Sequence, residues 1–206
     1  ADESDSASMS SILQTSKPDS VALTIGSVSW KTVGMGVRLP SIRILQRYEW
    51  VNLHPLTLHS ALVEILKERW SVNLVHCDSS GVGGTGTSFL AKALDAESGS
   101  RVRGFHFDAG WNTQTRMINQ YIEVMNGGRL QDYATDIDID TAANSALPPK
   151  DDPTAHAAWQ RAHVRLEARK TMNMRAYVPA TEGHDDLFVS EMLMVDAAFE
   201  LQPSGD

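Results

Sequence analysis

Apolar positions along the chain fall into two periods. The β-branched run Ser20-Val-Ala-Leu-Thr-Ile-Gly-Ser-Val28 reads as a strand. The Gly and Val pattern of Trp30 to Val37 predicts a turn into a second strand. Ser41 to Trp50, with Ile42, Ile44, Tyr48 and Trp50, predicts a third, and three such strands in succession suggest an antiparallel meander. The period then changes to that of a helix. Leu58, Leu62, Ile65 and Leu66 share one face over Pro55 to Trp70. Val72 to Cys77 is an apolar run of strand length; a glycine-rich turn, a helix from Phe89 to Ala96 and a strand over Val102 to Phe107 follow. That strand–helix–strand unit implies parallel pairing with a right-handed crossover, hence an α/β fold.

Further along, Thr113 to Asn126 predicts a helix with Met117, Tyr121 and Met125 on one side, ended by Gly127-Gly128. The alternation Asp136-Ile-Asp138-Ile-Asp140 fits a strand, and Pro148 to Pro153 is loop. A helix is expected from Thr154 to about Lys170. The last helix runs from near His184 to Leu201, with Phe188, Met192, Val195 and Phe199 as a core-facing stripe. Residues 1 to 18 are rich in Ser and Asp and read as an exposed end.

A length of 206 residues fits one domain with a sizeable core. No apolar run approaches the ~20 residues of a membrane span, and Ala1 to Asp19 lacks a signal-peptide pattern. The single Cys77 excludes an internal disulfide, fits a reducing compartment and reads as a small buried hydrophobe. A net charge of −8 counts against nucleic-acid binding. Much of the acid is concentrated in Asp2-Glu3-Ser-Asp5 and in Asp132 to Asp152, however, and carboxylates that hold cations also count as acidic.

The chemistry centres on Asp78, which ends the apolar strand and precedes Ser79-Ser80-Gly81-Val-Gly83-Gly84. Strand ends beside backbone-exposing turns are where α/β proteins place their sites, although Asp is also common as a turn residue. Gly81-x-x-x-x-Gly86-Thr87-Ser88 resembles a phosphate-cradling loop, but Thr87 stands where the phosphate-reaching lysine belongs, so a tight turn is expected. Gly183-His184-Asp185-Asp186-Leu187 opens the last helix, where acids suit the macrodipole. Carboxylates converging from separate elements repel unless a hard cation resolves the repulsion. Two such ions about 3.5–4 Å apart support phosphodiester cleavage. Asp78 with Asp185 and Asp186 therefore suggests a metal-dependent nuclease. Arg161, Arg165, Arg169, Lys170 and Arg175 form the most cationic stretch and are the candidates for phosphate contact. His76 is expected to be structural.

Three segments carry a family likeness. Asp78-Ser-Ser-Gly-Val-Gly83, Gly104-Phe-His-Phe through Met125-Asn-Gly-Gly-Arg-Leu130, and Glu182-Gly-His-Asp-Asp-Leu187 resemble the nuclease domain of the large terminase subunit of tailed bacteriophages. The likeness spans most of residues 19 to 201, with 131 to 154 as an insertion. It implies one RNase H-like domain over residues 1 to 206, a mixed sheet flanked by helices. It also implies three acidic positions that hold two magnesium or manganese ions. Asp78 matches the second acid, and Asp185 with Asp186 the third. The first acid is expected either at Asp2, its strand cut away, or upstream of the chain, which then resembles an excised C-terminal fragment. The implied activity is cutting of concatemeric double-stranded DNA during packaging in the host cytoplasm. The implied partners are an ATPase domain in the same subunit, the portal protein and the small terminase subunit. A non-catalytic DNA or portal docking module of the same fold is the alternative, followed by a nucleotide-binding domain built on Gly81 to Ser88. Metal-dependent nicking, metal-free DNA retention and a thermal shift with ATP or GTP distinguish the three.

Overall fold

The alternating stretch from Ser20 to Val51 folds as one long hairpin. The computed structural model describes residues 20–80, 83–94, 101–107, 111–133, 139–147, 149, 151–168, 173–179 and 181–201. Strand β1 (Ser20–Val33) pairs antiparallel with β2 (Val37–Val51) around a tip at Gly34-Met35-Gly36, where Met35 and Gly36 take left-handed backbone. The expected second and third strands are thus one, because the run passes straight through Pro40 without a turn. Ile25 pairs with Gln46 and Gly26 with Ile44, so Leu45 is an extra residue that makes a bulge.

Helix α1 (Pro55–Val63) continues as a π-helical segment, Glu64–Arg69. Strand β3 (Val75–Asp78), helix α2 (Gly83–Leu94) and strand β4 (Val102–Phe105) form the expected parallel strand–helix–strand unit. Helix α3 (Trp111–Asn126) ends at Gly127-Gly128, with Gly128 at φ +59. Its buried stripe is Met117, Tyr121 and Val124; Met125 is exposed. Strand β5 (Leu130–Gln131) joins β2 in parallel, giving a mixed sheet ordered β1-β2-β5.

The next two elements depart from the sequence pattern. Ile139–Ala143 is a short helix, α4, where a strand was expected over 136–140; residues 134–138 lie outside the described residues. The helix expected to reach Lys170 stops earlier. Helix α5 (Pro153–His163), capped by Asp152, ends where Val164 turns extended. Arg165–Ala168 is strand β6, paired antiparallel with β7 (Met174–Tyr177). The basic residues after Arg161 therefore do not continue its helix face.

Helix α6 (Asp186–Glu200) packs against β1, β2, β3, α3 and α5. Its stripe of Phe188, Met192 and Val195 meets Ile42, Ile118 and Tyr121 in one core; a second core joins Ile25, Leu66, Val75, Leu90 and Val102. Gly26 lets α6 approach closely, since a Cβ there would strike the Met194 side chain.

Two carboxylates of α6 are buried, Glu191 and Asp196. Glu191 accepts from Arg47 Nε (2.9 Å) and from Tyr121 (2.9 Å), and Arg161 lies 3.5 Å away. Arg47 also binds Asp132 through both terminal nitrogens, at 2.9 and 2.6 Å. Burial alone would lower the Arg47 pKa, but Asp132 and Glu191 outweigh it and hold the guanidinium firmly protonated. Burial likewise opposes ionisation of Asp132, yet the two arginines bring its pKa below the usual carboxylate range. Truncating one partner strands the other charge in the core. Glu191→Ala is expected to cost about 3–5 kcal/mol, read as a lowered urea midpoint at unchanged slope.

Candidate active site

The acidic motif is shaped by contacts from distant parts of the chain. Glu182 and Gly183 donate backbone N–H groups to Pro179 O at 2.8 and 3.1 Å, closing a turn before the acids. A Cβ at Gly183 would strike the ring of Trp159, so glycine is what lets this turn seat on α5. Asp185 then stands at the N-cap position of α6, but its side chain makes no capping hydrogen bond. The Phe188 N–H in the first turn donates to Gln160 Oε1 instead (2.8 Å). An Asp at this position ordinarily caps its own helix. Gln160 performs that role and leaves the Asp185 carboxylate for other use.

Gln160 belongs to a short relay. Its Nε2 donates to His156 Nε2 (3.2 Å), which fixes the tautomer in which His156 Nδ1 donates to Glu49 Oε2 (2.9 Å). Glu49 in turn disfavours ionisation of Asp186 electrostatically. Ser20, the first residue of β1, donates its hydroxyl to Asp186. His184 Nδ1 lies 3.8 Å from Asp186 Oδ2, and its Nε2 is buried with no hydrogen-bond partner among the described residues.

Burial raises the Asp185 pKa, partly offset by a backbone hydrogen bond from Val178 and by Arg175. Burial also raises that of Asp186, offset in part by the Ser20 hydroxyl and His184. Two under-compensated carboxylates and an unpartnered imidazole nitrogen thus collect at one helix start. Hard oxygen donors of this kind suit magnesium or manganese. Among the described residues, however, no three His, Cys, Asp or Glu side chains gather as a group able to hold a metal ion.

Asp78 is exposed at the end of β3, and its Oδ1 accepts from the Ser80 N–H (2.8 Å), the turn-forming role considered for it above. The expected convergence of Asp78 with Asp185 and Asp186 is therefore not assembled among the described residues, although β3 packs against α6. Asp2 lies outside the described residues. Burial pushes the Cys77 thiol up to about 11, in keeping with an inert side chain. Thr87 Oγ1 meets Ser79 Oγ at 3.0 Å, which ties the first turns of α2 to the end of β3. His76 is structural: its ring nitrogens lie against Asp196 (3.0 Å) and Glu200 (2.9 Å) of α6.

The cationic stretch is also redistributed. Arg161 is spent on Asp132 and Glu191, which removes it from the phosphate-contact candidates. Arg165 on β6 pairs with Glu182, and Arg175 on β7 stacks over Tyr177 at 4.8 Å. Arg169 and Lys170 lie outside the described residues. Glu49, His156 and Gln160 carried no local signal, because each acts through partners more than a hundred, or about thirty, positions away.

No protein-family model matches the sequence, and no curated protein does. Solved structures do match the fold. The large terminase nuclease from thermophilic phage G20c superposes with a TM-score of 0.51 at 13% identity, over 89% of this chain and 84% of that one. The chain thus shares the mixed α/β fold of that nuclease. The same nuclease with bound magnesium gives a TM-score of 0.50 at 16% identity, over 87% and 82% of the two chains. The HK97 bacteriophage large terminase gives 0.52 at 10% identity, and this chain spans 40% of its length.

Because the folded state raises both aspartate pKa values, it holds their protons more tightly than the unfolded chain. The stability this lends is complete below the unfolded value of ~3.9 and is lost as pH rises through the raised folded values. Without metal, Asp186→Asn should raise Tm at pH 7 by about 2 °C, a small change because the carboxylate keeps contact with water. Near pH 3.5 the gain should vanish. Thermal melts at the two pH values in EDTA check both expectations.

Proposed function

We propose that this chain is the metal-dependent DNA endonuclease domain of a phage packaging terminase. The observation that carries this is an acid pair released from helix capping and insufficiently compensated, on the fold of a nuclease also solved with magnesium bound. Asp185 and Asp186 would hold a magnesium or manganese ion, with Asp78 as the opposing acid and Asp2 as the candidate for the remaining one; two ions would complete the set. The metal supplies charge neutralisation at the scissile phosphate and activation of a water. The chain's own groups do the positioning. Ser20 orients Asp186, Gln160 holds the first turn of α6, and the His156–Glu49 pair fixes the wall beside it.

In this assignment the domain cuts concatemeric double-stranded DNA in the host cell. It works beside an ATPase domain of the same subunit, with portal protein and small terminase subunit as partners. The 40% share of the HK97 large terminase is what supports a further domain in the full subunit. A second function, DNA or portal docking without cleavage, is supported by the lack of a three-ligand group among the described residues.

Supercoiled plasmid incubated with the chain in EDTA, magnesium and manganese tests the assignment. Nicking should require metal and should fall in Asp186→Asn and Asp78→Asn by more than the 10–100-fold (roughly) that loss of a mere supporting group costs. Cleavage that survives EDTA or both substitutions sinks the nuclease assignment. DNA retention without nicking favours the docking module.

A further inference from the structure

The face of the β1–β2 hairpin turned away from α6 changes character part-way along. Near the strand start it carries Leu23 and Ile25 opposite Tyr48 and Gln46; Leu23, Ile25 and Tyr48 are covered by the second core. Beyond the bulge the same face carries Ser27, Ser29 and Lys31 on β1, opposite Arg43, Ser41 and Leu39 on β2. Ser27, Ser29, Lys31 and Arg43 are all exposed. The ribbon then projects, with Lys31, Thr32, Gly34, Met35, Gly36, Val37 and Arg38 exposed around the tip. Arg43 also borders an open hollow of about 590 Å³ with Gln131, Asp132 and Tyr133. The one carboxylate there, Asp132, is already neutralised by Arg47 and Arg161.

The charge pattern is local and sharp. Residues 20 to 48 contain Lys31, Arg38, Arg43 and Arg47 and no Asp or Glu, in a chain where acids outnumber bases 26 to 18. An apolar strand face that turns to serine and cation where its cover ends has a chemistry of its own. Hydroxyls and cations are the groups that contact nucleic-acid phosphates, and a two-stranded ribbon is narrow enough to follow a groove of B-DNA.

We propose that this projecting part of the hairpin is an arm that docks the phosphate backbone of duplex DNA, an inference that rests on the nuclease assignment for its substrate. Lys31 and Arg43 supply the charge on this face, Arg38, opposite Thr32, supplies it from the other face at the tip, and Ser27 and Ser29 supply hydroxyl donors. Ser20 at the other end of β1 touches Asp186. The length of β1 from Ser20 to Lys31 is roughly 36 Å at strand rise, about one helical turn of DNA. The arm therefore grips the duplex about a turn from the acids, so this cationic hold lies at a distance from the carboxylates.

The test is fluorescence anisotropy of a labelled short duplex with the whole chain in EDTA, measured across a salt series. The Lys31→Ala/Arg38→Ala/Arg43→Ala variant should bind more weakly, and its slope of log affinity against log salt should shrink by about 2–3, near 0.9 for each phosphate no longer neutralised. A charge-keeping variant, Lys31→Arg/Arg38→Lys/Arg43→Lys, should retain the wild-type slope, and thermal melts should show all three chains folded. An unchanged slope in the alanine variant overturns the arm, as does a wild-type chain that does not bind the duplex. Manganese-dependent plasmid nicking by the wild-type chain reports on the nuclease assignment separately. A reduced slope without nicking leaves the arm standing and removes the nuclease; nicking with an unchanged slope does the reverse.

Discussion

A helix that carries carboxylates into a core must bring their partners with it, and α6 does so twice. Glu191 is met by Arg47 from β2, Tyr121 from α3 and Arg161 from α5. Asp196 is met by His76 from β3 and Arg116 from α3. Unpaired, either charge would be expensive to bury. Paired, they force four different elements to take up one arrangement around the helix, more specifically than apolar packing alone requires. The start of α6 is fixed by the same arrangement, and with it the position of Asp185 and Asp186.

The division of labour at that start is unusual for a helix opening on two acids. Acidic residues there ordinarily satisfy the exposed N–H groups or simply complement the dipole. Here a neutral amide from the neighbouring helix supplies the acceptor, and it is itself held by His156 and Glu49. The acids are left half-buried and electrostatically uncomfortable, which suits a ligand that brings positive charge. Ser20 ties this point back to the first described strand, so the site is built from residues at opposite ends of the chain.

How far this could be read beforehand depended on distance along the sequence. The stripe Phe188, Met192 and Val195, the strand–helix–strand unit from Val75 to Phe105, and the glycine stop at Gly127-Gly128 were legible because each is a local periodicity or a local backbone demand. Arg161 was misread as a phosphate contact because its partners, Asp132 and Glu191, lie 29 and 30 positions away. Arg165 to Ala168 has helix-favouring composition, yet it forms a strand because β7 offers a partner, a case of tertiary pairing overriding propensity. The acid motif was legible by residue type, and its family likeness pointed to the fold. That Gln160 rather than Asp185 caps α6 had no local signal at all.

The bulge at Leu45 sets the two strands of the hairpin out of step by one residue. It is what allows odd-numbered Arg47 and even-numbered Ile42 and Ile44 to point toward the same helix. Insertions and deletions in the ribbon are therefore subject to a rule of parity. Loss of the single codon for Leu45 would only close the bulge, with Gln46 still opposite Ile25 and Ile44 still opposite Gly26. A residue lost from one strand elsewhere would turn the stretch beyond it inside out, whereas the tip can lengthen or shorten by one residue on each strand and leave every side chain facing as before. The reach of the hairpin can then change in steps of two without disturbing the register beneath the bulge.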